Sequence, residues 1–321
     1  MKEYKSLEEQ IEYLISNKKI DKETIDLKIF NETAYLNIIT PYTDLIAIGR
    51  AKDEVKSHIY RDNTNFQEYL SWSEIDKFLS AKLHPVIGAF ENKLKLYLER
   101  TICLWMFESG DKSCCNSTGW NNYLSGLKYL EFIGLLYEEI NVNLFTLTTN
   151  SKMLSRKTAI ENIIKIYNNE IRSTELIRHY RLKGYLPFWV VIHELTIHEL
   201  IQIFMMIKYE DKKIFLSDML NIGMKKISFN DVKKFESKLS FIIDIRNKIN
   251  HYEPIIPFVI RLKPDLYNIL FSSIKLICNW YKRVYKINIS IQKPTILTIQ
   301  NEYNKICFNR IVDIINLLDN M

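Results

Sequence analysis

Glycine and proline are scarce in this chain, which holds eight glycines and seven prolines among 321 residues. A turn-rich all-β fold needs more of both, because tight turns depend on the backbone conformations that these two residues favour. Apolar residues instead recur at helical spacing over long stretches with few breakers. The sequence therefore predicts an all-α fold, and a hydrophobic content of 47% is ordinary for a packed core.

A chain of this length can hold one large or two modest domains. The segment 141–150 is polar and β-branched, and it is the best candidate for a boundary. We therefore expect an N-terminal helical region over residues 1–150 and a second helical domain over residues 151–321. Within the second domain, the pattern predicts single helices over 155–183 and 187–209.

Charge and cysteine content exclude several classes of protein. The net charge of +6 tolerates an anionic partner, but it is far from that of a constitutive nucleic-acid binder. The five cysteines include no Cys-x2-Cys pair, so neither a disulfide framework nor a zinc site is expected. The first residues lack an apolar signal core, and no run of about 18 apolar residues occurs. These features predict a cytoplasmic protein without a membrane span, metal or cofactor.

The stretch from Arg246 to His251 carries the strongest chemical signal. Arg246 offers a permanent positive charge for a phosphate, and Asn247 is a neutral hydrogen-bonding group. Histidine is the side chain whose unperturbed pKa lies nearest to working pH, so His251 can serve as a general acid or base. Together these residue types supply what RNA cleavage needs without a metal.

The spacing places this motif on a helix. Phe235, Leu239, Ile242 and Ile249 are separated by four, three and seven residues, which predicts an apolar helical stripe. Arg246 falls on the same stripe, so it must be paired or must face a polar cleft or a subunit seam.

Arg246 and His251 are five residues apart, which separates their directions by about 140° on an ideal helix. Either the helix distorts near Pro254, or two copies of the motif face each other across a homodimer or pseudo-dimer. A structural role is the alternative: His251 can favour the negative end of the helix dipole, and Arg246 can extend its charge from an apolar stripe to water.

The motif resembles the Arg-x4-6-His signature of HEPN ribonucleases, and the wider chain resembles the bacterial AbiD/AbiF abortive-infection family. The resemblance covers about residues 5–255 and rests on these blocks in order: Ser6–Ile11 with Leu14, Trp72–Leu79, Phe90-Glu91, Leu186–Val191 and Arg246–His251. Two features depart from the family pattern. Ile249-Asn250 replaces its Cys-Ala, and Tyr252 replaces its second histidine.

This resemblance implies that residues 151–321 form a HEPN-like helical bundle with catalytic residues Arg246, Asn247 and His251. It further implies a metal-independent endoribonuclease that acts as a phage-defence toxin and is restrained by a small structured non-coding RNA. The alternative is a non-catalytic RNA-binding HEPN-like protein, which the single histidine favours. A HEPN scaffold that dimerises in a signalling or nucleotidyl-transfer complex is a third option.

Candidate RNA-binding residues fall in two places. Arg178, Arg181 and Lys183 form a basic run interleaved with tyrosines, and Lys248 and Tyr252 accompany the motif itself. A solvated helix face explains the basic run equally well.

Four further residues carry minor signals. Asp76 and Glu91 match acidic positions of the family pattern, so either is expected to hold Arg246 as an ion-pair partner. His193 and His198 resemble the zincin pair, but they are five apart instead of four, which argues against zinc and favours partly buried imidazoles.

Overall fold

The computed structural model describes residues 6–32, 38–52, 57–108, 186–286 and 305–319, and residues 158–183 except 160, 164 and 168. Helices dominate these residues, which confirms the predicted all-α class. Their bounds are α1 Leu7–Lys18, α2 Leu27–Glu32, α3 Thr43–Ile46, α4 Phe66–Glu108, α5 Glu175–Leu182, α6 Phe188–His193, α7 Ile197–Met206, α8 Tyr209–Leu220, α9 Phe229–Asn250, α10 Ile256–Arg261, α11 Pro264–Tyr285 and α12 Lys305–Asp319.

Short elements join these helices. Single 3₁₀ turns occur at Lys22–Thr24 and Met224–Lys226. A small antiparallel hairpin pairs β1, Gly49–Arg50, with β2, His58–Ile59, and the sequence pattern did not predict it. None of the described helices is both long and apolar enough to cross a membrane.

The chain forms two compact units that do not follow its linear order. The first unit combines Met1–Ile87 with Asp244–Met321, and the second comprises Gly88–Ile243. The predicted boundary at 141–150 lies outside the described residues, so the division at residue 150 stays a prediction.

The core of the first unit is formed by α4 and the C-terminal helices. Leu79 and Leu83 of α4 are fully buried, as is Ile315 of α12. Trp72 packs edge-on against Phe308 with ring centroids 6.1 Å apart. Full burial of one such aliphatic side chain stabilises the fold by about 1.5–3 kcal/mol, so this core contributes substantially to the stability of the first unit.

The second unit contains an aromatic cluster and an ion pair whose carboxylate is buried. Phe204, Phe215 and Phe235 contact one another edge-on or tilted, with centroids 5.1–5.8 Å apart. Arg172 donates two hydrogen bonds of 2.7 Å to the buried carboxylate of Glu199. Such bidentate geometry offsets much of the cost of removing the Glu199 carboxylate from water.

The helices predicted as single over 155–183 and 187–209 are each interrupted, so those two predictions were wrong. In the second case Thr196 forms a capping box with Glu199, which ends one helix and begins α7. In the first case Thr174 caps α5 by accepting a hydrogen bond from the Ile177 amide. The Thr-x-x-Glu pattern that begins α7 is visible in the sequence. The prediction of a single helix gave more weight to the continuing apolar periodicity than to this capping pattern.

Candidate functional site

Helix α9 begins with a capping box and follows the predicted apolar stripe. Ser228 Oγ accepts from the Asp231 amide at 3.3 Å, and Asp231 Oδ2 accepts from the Ser228 amide at 2.9 Å. The acidic group also favours the positive end of the helix dipole. The four stripe residues are buried, which confirms the spacing argument: Phe235, Leu239, Ile242 and Ile249.

The other end of α9 closes in a Schellman motif immediately after the Arg-Asn-x-x-x-His stretch. The Tyr252 amide donates to Ile249 O at 3.2 Å, and the Glu253 amide donates to Lys248 O at 2.8 Å. A hydrophobic contact usually joins the positions that Lys248 and Glu253 occupy. Here an ion pair of 2.7 Å joins them instead. The helix end is therefore held by both backbone and side chains.

Tyr252 occupies the left-handed position of this cap, with φ = 54°. Glycine is the usual residue there, because any Cβ raises the energy of the conformation, by about 1–2 kcal/mol per residue. The Tyr252 side chain nevertheless remains 95% exposed. The aromatic ring of Tyr252 is therefore exposed to solvent next to His251, although the left-handed backbone conformation disfavours any side chain at this position.

Arg246 is partly exposed and is held by the asparagines of its own helix. Its Nη1 lies 3.5 Å from Asn247 Oδ1, which is a weak hydrogen bond. With the Asn250 amide oriented so that its oxygen faces the guanidinium, Arg246 Nε and Nη2 lie 3.1 and 3.3 Å from that oxygen. Asn250 sits four residues after Arg246, a spacing that places two side chains on one helix face. The sequence analysis missed this partner, although the spacing could have revealed it.

His251 is exposed and remains within the helical hydrogen-bonding pattern. Its amide donates to Asn247 O at 3.0 Å, which is an ordinary i→i−4 bond. Helical geometry therefore continues to His251, and the separation of about 140° from Arg246 applies. Of the two options that the sequence left open, a distortion of the helix near Pro254 does not reach the backbone between Arg246 and His251.

Asp76 of α4 anchors the segment that follows the cap. Its Oδ1 accepts from the Ile255 amide at 2.7 Å, and both of its oxygens lie 3.3–3.4 Å from the Ile256 amide. Its Oδ2 also accepts from the Tyr42 hydroxyl at 3.1 Å. The expectation that Asp76 pairs with Arg246 was wrong: this carboxylate instead satisfies buried backbone groups at the start of α10.

The second acidic candidate, Glu91, forms an ion pair of 3.2 Å with Lys95, one turn along α4. Its part in holding Arg246 stays a prediction.

Asp76 is only 4% exposed, and this burial governs the pKa of its carboxyl group. Loss of hydration raises its pKa to about 7, although the bonds from Ile255, Ile256 and Tyr42 and the positive charge of Lys248 act in the opposite direction. Desolvation disfavours the charged form, whereas donated hydrogen bonds favour it. The anchor of this segment therefore changes its protonation state near neutral pH.

The predicted RNA-binding residues lie in different units. Lys248 and Tyr252 flank the motif in the first unit, where the Lys248 ammonium also lies 5.9 Å from the centroid of the Phe258 ring. The basic run lies on and just after α5 in the second unit, where Arg178 and Lys183 are exposed.

Arg181 of the same run has an internal role. Its guanidinium donates to Asn169 Oδ1 and to the carbonyl oxygen of Ile166, and it lies 3.4 Å from the carbonyl oxygen of Tyr167. Arg181 thus holds the turn before α5, so Arg178 and Lys183 are the better placed of the three to meet a phosphate.

The two histidines that resemble a zincin pair lie on different helices. His193 ends α6 and His198 lies in the first turn of α7, and both are exposed, so the expectation of partly buried imidazoles was wrong. His193 Nε2 lies 3.0 Å from Glu99 Oε2. Within the described parts of the chain, no three His, Cys, Asp or Glu residues are grouped as metal ligands.

Comparison with known proteins places the chain in a family. The family model described as Abi-like protein matches residues 28–256. This match covers more than two thirds of the chain and includes both the Asp76 anchor and the Arg246–His251 motif. The chain therefore belongs to the Abi-like protein family, which is an abortive-infection family. No curated protein and no solved structure gives a significant match.

Proposed function

We propose that this protein is a phage-defence endoribonuclease of HEPN type, which cleaves RNA without a metal. The observation that carries the proposal is that Arg246, Asn247 and His251 lie at one accessible helix end. Backbone hydrogen bonds and a side-chain ion pair both hold that end in place. Membership of the Abi-like family supports the biological role, because abortive infection halts the growth of a cell after phage attack.

The reaction uses the 2′-hydroxyl of RNA as the nucleophile. As its oxygen forms a bond to the adjacent phosphorus, a general base removes its proton, and the bond from phosphorus to the 5′-oxygen breaks. A general acid protonates the leaving oxygen, so the products carry a 2′,3′-cyclic phosphate and a 5′-hydroxyl. His251 supplies the acid or base, while Arg246 stabilises the charge that develops on the phosphorane oxygens.

Two copies of the motif complete the site. One chain provides a single motif histidine, and helical geometry directs Arg246 and His251 to different sides of α9. A two-fold pair supplies one histidine as base and the other as acid, with an arginine on either side of the phosphate. A homodimer that joins the two α9 ends is therefore part of the proposal.

Asn247 positions Arg246 in this scheme, because its amide oxygen faces the guanidinium. A small structured RNA is proposed to restrain the toxin by contacting exposed cations such as Arg178 and Lys183. RNA that co-purifies with the protein, and is released at high salt, would support that restraint.

The test is cleavage of labelled single-stranded RNA by the purified full-length chain in the presence of EDTA. We expect His251→Ala and Arg246→Ala each to lower the rate at least 100-fold, which is the usual scale for loss of an acid–base group or an electrostatic stabiliser. His84→Ala is the matched control, because His84 is an exposed histidine outside the motif. Equal rates for wild type, His251→Ala and His84→Ala would overturn the proposal.

Mixing wild type with an excess of His251→Ala tests the paired site. If the active site needs one histidine from each of two chains, the mixed dimers lack either the acid or the base, so added His251→Ala lowers the activity of the wild type. Binding of RNA by wild type and both variants with no cleavage by any of them would favour the non-catalytic alternative.

A further inference from the structure

A cavity of about 560 Å³ lies within the first unit, beside the end of α9. Its walls come from α2, from the face of α4 that carries Ser73 and Glu74, and from the cap residues Tyr252 and Glu253. This volume lies within the range of small-molecule pockets in proteins, and it is large enough for one nucleotide base. The cavity therefore adjoins the residue that follows His251.

Tyr252 is one of the residues that line this cavity, and the fold itself does not require a tyrosine there. Glycine would fit the left-handed backbone better, and the exposed ring adds little to the core. Exposed aromatic rings beside a cleft are the usual platforms on which proteins stack unpaired bases. The position of Tyr252 is thus better explained by a stacking partner than by stability.

The charges around the cavity favour a base over a phosphate. The residues that line the cavity include one basic side chain, Lys77, and four acidic ones: Glu32, Glu74, Asp76 and Glu253. The Asp76 carboxylate is already occupied by Tyr42 and backbone amides, and Glu253 is paired with Lys248.

Glu74 is exposed and, in the parts of the chain that the structure describes, accepts no hydrogen bond from another residue. Its two oxygens can each accept from a donor on a bound ligand.

We infer that this cavity binds one unpaired guanine of the RNA, with its ring against Tyr252 and its edge against Glu74. Guanine presents two adjacent N–H donors, N1–H and the 2-amino group, which match the two oxygens of one carboxylate. Uracil presents one N–H there, and adenine and cytosine each present a single donor nitrogen. The inference rests on the proposed function in that RNA is the ligand, and it adds base preference at a defined site.

The test measures binding of labelled octauridylates that carry one guanine, one inosine or no substitution, because inosine lacks the 2-amino group. With the full-length chain, we expect the guanine oligonucleotide to bind about tenfold more tightly than the other two, since one well-formed bidentate contact is worth roughly that factor or more. Glu74→Gln should reduce this preference to less than twofold. Glu23→Gln, at an exposed glutamate outside the cavity, should leave it unchanged.

Tyr252 variants test the stacking contact separately. Tyr252→Gly should fold normally and bind all three oligonucleotides about five- to tenfold more weakly, whereas Tyr252→Phe should retain the wild-type affinities. Equal affinity for guanine, inosine and uridine, or no effect of Tyr252→Gly, would overturn the inference.

Cleavage of the same oligonucleotides keeps the two proposals distinguishable. Cleavage without any guanine preference overturns the cavity assignment and leaves the nuclease standing. Guanine-selective binding without cleavage supports the cavity and counts against the nuclease. Absence of binding to all three oligonucleotides overturns the cavity assignment.

Discussion

The two ends of helix α9 differ in how well their residues match the capping preferences of helices. At the start, Ser228 and Asp231 satisfy each other's amides, which is the arrangement that helix propensities favour. At the finish, a tyrosine occupies a left-handed position in which glycine would be more stable. In addition, the segment after it is anchored by a buried carboxylate whose pKa is raised.

On the proposed function, this difference separates a feature that serves stability from one that serves RNA cleavage. Natural chains keep local preferences consistent with the fold, and departures concentrate where function requires them. On the proposed function, the start of α9 serves folding, whereas its end presents Arg246, His251 and Tyr252 to RNA at some cost in stability. The comparison can be tested by changing each end and measuring stability and RNA cleavage together.

The largest effect is expected at the Asp76 anchor. Asp76→Ala leaves the buried Ile255 and Ile256 amides without an acceptor, so we expect the free energy of unfolding to fall by roughly 3–4 kcal/mol. Chemical denaturation at pH 5 measures this loss. Glu74→Ala, an exposed neighbour on the same helix, should change stability by less than about 0.5 kcal/mol. A similar small change in Asp76→Ala would contradict the anchoring role.

The pH dependence of stability is the next largest effect. Burial raises the Asp76 pKa from 3.8 to about 7, so folding favours the protonated carboxyl. Its contribution is fully present below pH 3.8 and declines as pH rises through 7. Between pH 5 and pH 8 we expect wild type to lose about 2–3 kcal/mol relative to Asp76→Asn, which has no such titration. Parallel stability curves for the two proteins would refute the raised pKa.

The smallest effect gives the sharpest contrast between the helix ends. Tyr252→Gly should raise stability by about 1 kcal/mol, because glycine adopts the left-handed cap without strain, and it should lower RNA cleavage. Ser228→Ala should do the reverse, with a loss of about 1 kcal/mol and unchanged cleavage. Thermal unfolding and a cleavage assay on both variants compare them directly. If Tyr252→Gly were destabilising, the strain argument would fail.

Periodicity alone was enough to predict the buried stripe of α9, because a helix repeats every 3.6 residues whatever surrounds it. The capping box of Ser6 and Glu9 is likewise a local contact between residues three positions apart, so a pattern of this kind can be recognised in the sequence. The break at Thr196 was missed where capping opposed a continuing apolar pattern.

The Asp76 anchor could not be derived in the same way. Its amide partners follow it by 179 and 180 residues, and no local pattern encodes that contact. The cavity beside Tyr252 likewise depends on how α2 and α4 pack against the cap. Long-range contacts therefore determine the surroundings of the motif, whereas the motif itself can be recognised in the sequence.

The most direct measurement is the end chemistry of RNA incubated with the purified chain in EDTA. If the end of α9 forms the active site, wild type yields 2′,3′-cyclic phosphate and 5′-hydroxyl ends, and His251→Ala yields at least 100-fold fewer of them. Products with 3′-hydroxyl ends that require magnesium, or undiminished cleavage by His251→Ala, would contradict the proposed mechanism.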